Sequence, residues 1–173
     1  MAHFASVQRN RETAKKKALT TLATLTIAFP AFPAIAEEEE IPLNEAPEVA
    51  LATAQANAQG REFDTVLRQV EDGVLMYEFV GTKADGLGFA VEVFADGTLW
   101  ETAEEIAMDQ VPPAAAAVFG AELPGFVPEI IEKNTRDGGA LIVYEFEGEL
   151  NGEAIEAEVH EDGSNFAIED EAG

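Results

Sequence analysis

Carboxylates dominate the chemistry this sequence offers: 34 Asp and Glu stand against 10 Lys and Arg, with two histidines and no cysteine. Thiolate metal sites, cysteine nucleophiles and disulfides are excluded. His3 falls in a stretch that reads as a leader, so His160 alone remains, and one imidazole builds no multi-histidine zinc centre. A pair of carboxylates could cleave a glycoside. So many acids give such pairs by chance, however, and no glycine-rich phosphate cradle or nucleophile motif accompanies them. No enzymatic activity is expected. Oxygen ligands suit calcium, but Asp162-Gly163-Ser164-Asn165 is not followed by the spaced ligands of an EF-hand loop and reads as a tight turn. No cofactor is expected, and divalent cations only as weak partners.

The elements that position these carboxylates follow from period-two alternation, the signal of half-buried strands. Residues 74–105 return as 141–170: Tyr77-Glu78-Phe79 as Tyr144-Glu145-Phe146, Val91-Glu92-Val93 as Ala157-Glu158-Val159, Asp96-Gly97 as Asp162-Gly163. Asp-Gly between alternating runs predicts a hairpin. Phe63–Val70 and Glu129–Thr135 read as preceding strands, with Glu71-Asp72-Gly73 and Arg136-Asp137-Gly138-Gly139 as their turns. Helices are predicted before each set. The first runs from Asn44 to Gln59, with Asn44 as cap and Pro47 in the first turn; the second covers Ala114–Glu122, between Pro112-Pro113 and Pro124-Gly125. Val49, Leu51, Ala52, Ala117, Val118 and Phe119 are the expected sheet-packing residues.

Five basic residues (Arg9, Arg11, Lys15, Lys16, Lys17), an apolar run Ala18–Phe29 and Ala34-Ile35-Ala36 predict a cleaved secretory signal over 1–36. The run is shorter than the roughly 20 residues a membrane span needs, so no span is expected after cleavage. The leader takes half of the basic residues and one acid, Glu12, leaving five basic against 33 acidic residues and a net charge of −28. That charge repels nucleic acid and anionic membranes. It suits a basic exported protein or peptide, cations, or plain solubility.

The Tyr-Glu-Phe and Val-Glu-Val segments, the Asp-Gly turns and Pro124-Gly125 resemble the PepSY-like family over nearly all of residues 45–170. The tandem arrangement is similar in architecture to secreted β-lactamase inhibitory proteins. The resemblance implies an α+β fold, with two tandem helix-plus-four-strand repeats forming one antiparallel sheet and helices on one face. It also implies a periplasmic or secreted binding or inhibitor module that lacks catalysis. The expected divisions are a signal at 1–36, an acidic tether at 37–44, a first repeat at 45–105, a docked linker at 106–112 and a second repeat at 113–173.

Alternation then assigns Tyr77, Phe79, Phe89, Val91, Val93, Trp100, Tyr144, Phe146, Ile155, Ala157, Val159 and Phe166 to the helix-covered core. The opposite face is the expected binding surface, with Met76, Phe94 and Leu99 as apolar anchors. Glu78, Glu92, Glu101, Glu145, Glu156, Glu158 and His160 are its polar members. The competing reading is a cation-responsive or salt-adapted acidic periplasmic protein without a specific macromolecular partner.

Overall fold

The computed structural model describes residues 38–71 and 73–168; the signal, its cleavage site and the last five residues lie outside them. Nine strands run in sequence order across one sheet, each antiparallel to the next. They are β1 (Glu39–Ile41), β2 (Thr65–Glu71), β3 (Val74–Thr82), β4 (Gly88–Phe94), β5 (Leu99–Glu105), β6 (Val127–Arg136), β7 (Leu141–Leu150), β8 (Glu153–His160) and β9 (Ala167–Ile168). Among the described residues two ten-residue α-helices accompany the sheet, α1 (Glu48–Asn57) and α2 (Pro113–Glu122). Neither described helix is long and apolar enough to cross a membrane.

The expectation of two helix-plus-four-strand repeats is overturned. β5 and β6 hydrogen-bond directly, Thr102 opposite Thr135 and Glu105 opposite Glu132, so the ladder has no boundary between halves. The segment read as an acidic tether supplies β1, where Ile41 pairs with Val66 and is buried, and Arg68 forms an ion pair with Glu39. Burial of Ile41 and neutralisation of one glutamate hold that segment on the sheet edge. The result is one sheet-rich unit whose ninth strand is only two residues long.

Each helix buries one narrow stripe. In α1 it is Ala50 and Ala54, in α2 Ala115 and Phe119, spaced by four so that both members share a face. Val49, expected to pack, is exposed. Pro47 precedes the first helical residue and Pro113 opens α2, where a missing N–H costs nothing. Asn44 is no cap: it lies in a separate turn of 3-10 helix, Leu43–Glu45. The methyl side chains let the helix backbone approach the sheet, and Thr53 Oγ1 donates to the Gly97 carbonyl at 2.7 Å.

Two clusters fill the space under the helices. Val66, Tyr77, Phe79, Val91 and Val93 meet α1; Ile131, Tyr144, Phe146, Ala157 and Val159 meet α2. The 106–112 segment docks as expected at its ends, with Val111 buried and Ile106 packed on the second cluster, while Met108 is exposed. The opposite side has its own buried cluster of strand residues only, Leu67, Val80, Ala90 and Ala103.

Two irregularities break the alternation, one in β6 between Pro128 and Ile130 and one between β4 and β5. The register between β4 and β5 shifts after Glu92, which faces Glu101, so that Val93 faces Leu99. A bulge of this kind places two residues of one strand against one of the other and changes the facing of what lies beyond it. Leu99 therefore packs on the helix-side cluster, while Trp100, assigned to the core by alternation, is 39% exposed. Phe166 is half-buried against the second cluster and is not its equivalent.

Candidate functional site

The helix-free side of the sheet carries two adjoining features. The first is a line of charges across four strands: Glu78 of β3 faces Glu92 of β4, Glu92 faces Glu101 of β5, and Glu101 faces Arg136 of β6. Arg136, expected in a turn, is the last residue of β6 and the counter-ion of this line. Its Nε donates to Glu101 at 2.5 Å and its Nη2 to Glu158 at 2.8 Å. Burial opposes its charge, but the hydrogen bond to Glu158 and the charge and hydrogen bond of Glu101 outweigh that and hold its pKa above the ordinary guanidinium value. At the end of this line, the Arg136 guanidinium lies 5.7 Å from the Trp100 ring centroid. Trp100 meets Phe94 edge to face, also at 5.7 Å. Phe94 faces the buried Met76 across β3 and β4. Beside them is a shallow hollow lined by Gly73, Val74, Leu75, Phe94, Ala95 and Asp96.

The second feature is a denser set of carboxylates. Glu105, Glu132, Glu145 and Glu158 face one another in turn across β5 to β8, and Glu147 faces Glu156. Glu105, Glu132, Glu145 and Glu147 are buried. Glu105 accepts the Gly88 N–H at 2.8 Å, and Lys83 donates to its main-chain carbonyl at 2.6 Å. Asn134 lies between Ala103 and Val143 on the same face and donates to Glu145 Oε2 at 3.0 Å. His160 faces Val143 at the rim and takes a contact of 3.1 Å from the Asn165 amide to Nδ1.

Of the expected site residues, Met76, Glu78, Glu92, Phe94, Glu101, Glu145, Glu156, Glu158 and His160 share this face, and Leu99 does not. The bulge that removes Leu99 supplies Trp100 instead. Three of these glutamates, Glu78, Glu101 and Glu145, are buried. Sequence reasoning missed Arg136, Glu132 and Asn134. Parity offered a signal for them, because Asn134 is two residues from both Glu132 and Arg136 and all three project to the same side.

The chain matches no known family model, and no curated protein is significantly similar to it. The chemistry of the face is ion pairing, cation–π contact and apolar contact around Trp100.

Proposed function

We propose that this chain is an exported, non-catalytic binding or inhibitor module that uses the helix-free sheet face to hold a basic protein or peptide. The observation that carries the reading is the Phe94–Trp100 pair: the chain's one tryptophan stands 39% exposed against an aromatic partner, beside a line of glutamates that ends at Arg136. Exposed aromatic groups surrounded by charge are typical anchors of interfaces, the charges speeding encounter and the rings holding the complex. The resemblance of the Tyr-Glu-Phe and Val-Glu-Val segments to PepSY-like modules supports the same class. The leader-like first 36 residues support export.

Trp100 reports on its own surface. Titrating the protein with a fluorescein-labelled, lysine-rich amphipathic peptide should give saturable binding at low salt and shift the Trp100 emission to the blue. Trp100→Ala should weaken binding at least tenfold, and Glu92→Gln should slow association with little effect on dissociation. Absence of saturable binding, or equal affinity in Trp100→Ala, overturns the reading.

A further inference from the structure

We propose that Glu132, Glu145 and Glu147, together with the side-chain oxygen of Asn134, form a site for one hard divalent cation, calcium in preference to magnesium. One carboxylate oxygen from each glutamate lies within 4.8 Å of those of the other two, and all three residues are buried. Calcium takes oxygen ligands at about 2.3–2.6 Å, so ligands on opposite sides of one ion are about 5 Å apart. Three oxygens grouped this closely fit around a single ion. The donors are all oxygen and the strands bearing them are adjacent, which suits calcium's tolerance of irregular geometry better than the strict octahedron of magnesium.

Acidic grouping alone would not point to a metal; Asn134 does. Its side chain is 1% exposed, and its Nδ2 already reaches into the cluster at Glu145. Its Oδ1 is buried with no hydrogen-bond partner. The two amide heavy atoms are about 2.3 Å apart from ordinary bond lengths, which keeps Oδ1 within roughly 5.3 Å of the Glu145 oxygen. Turning the amide over would direct Oδ1 at that carboxylate, a contact that only a cation or proton between them could support. A buried carbonyl oxygen without a donor costs free energy, and a bound ion or ion-held water is a normal remedy. Close buried carboxylates face the same choice between a cation and a proton. One cation resolves both.

The test uses the full chain stripped with chelator. Calorimetric titration with calcium chloride should show one saturable site. The melting temperature should rise by several degrees with calcium, less with magnesium, and not with sodium chloride at matched ionic strength. Glu147→Gln should weaken calcium binding at least tenfold while leaving the calcium-free melting temperature unchanged or higher, since a repulsive charge is removed. In the unmodified protein, the Asn134 side-chain amide signals should move as one equivalent of calcium is added, which locates the site without any variant. The proposal is overturned by a melting temperature that follows ionic strength alone, by calcium affinity unchanged in Glu147→Gln, or by Asn134 signals that stay fixed at saturation.

Discussion

Trp100 meets the edge of Phe94 with ring centroids 5.7 Å apart and planes at 61°, a contact that exists because the bulge after Glu92 brings Trp100 to the helix-free face. Without that extra residue, Trp100 would project toward α1 and Leu99 would face out. The pair leaves much of the indole in water, so the ring contributes little to the core.

Replacing Trp100 by Ala should therefore cost no more than about 1.5 kcal/mol, the size of an aromatic pair contact, rather than the 3–5 kcal/mol typical of a buried tryptophan. Urea denaturation measures it. Fluorescence quenching gives a second check: caesium should quench the emission more strongly than iodide, because the surrounding carboxylates attract cations and exclude anions. A cost above about 3 kcal/mol, or equal quenching, would place the indole in the core.

Two glycines should respond in opposite ways. A Cβ on Gly81 would lie 2.5 Å from the Glu62 carbonyl oxygen and 2.5 Å from the Phe89 ring. That ring is held from other sides by Phe63, at 5.6 Å, and by Arg61, at 4.0 Å. Gly81→Ala should cost about 2–3 kcal/mol, as overpacking does. Gly120 is exposed within α2, with nothing within 4 Å of an added Cβ, so Gly120→Ala should stabilise by about 0.8 kcal/mol through helix propensity. Thermal melts of the two variants should move in opposite directions.

The legible parts of the fold were those set by local rules. Asp96-Gly97 and Asp162-Gly163 are turns whose glycines adopt φ of 89° and 82°, and the alternation in Phe89-Ala90-Val91-Glu92-Val93 placed its odd members in the core. Three things escaped for physical reasons. The bulge is a one-residue event whose only trace is the inverted facing of Leu99 and Trp100. The helix stripes consist largely of alanines, which carry too little apolar contrast to mark a face. Burial of Glu78, Glu101 and Glu145 depends on neighbouring strands, which no single strand's pattern records. Arg136 groups locally with the glycines of the turn that follows it, although its parity with Glu132 and Asn134 places it on the charged face.

Tyr144 gives a prediction at alkaline pH. Burial, and then the charge of Glu161, raise its pKa above the ordinary phenol value. Above about pH 10 an unfolded tyrosine loses its proton while the folded one retains it. The unfolded state then binds fewer protons than the native state, and stability falls as pH rises. In Tyr144→Phe this contribution is absent. Its urea midpoint should decline less steeply between about pH 9 and 11 than that of the unaltered protein, and parallel declines would refute the assignment.

The contact between Arg136 and the two glutamates supports the sharpest stability prediction. Arg136 stands on β6 and Glu158 on β8, with β7 between them, so the guanidinium spans an intervening strand while also serving Glu101 on β5. The three side chains are 21%, 18% and 6% exposed respectively, which takes the arrangement out of the class of surface ion pairs worth a few tenths of a kcal/mol. Removing one partner of a shielded pair costs more than the pair itself contributes, because the remaining charges lose their counter-ion in a poorly solvated place. Arg136→Met keeps most of the aliphatic stem and removes only the charge and donors; it should cost about 3 kcal/mol in urea denaturation. Glu101→Gln in that background should recover about 1–2 kcal/mol, whereas the same change in the unaltered protein should destabilise it. Such a reversal of sign is the mark of direct coupling. If the two substitutions are simply additive, the guanidinium does not neutralise Glu101, and the line of glutamates across β3, β4 and β5 is held by some other means.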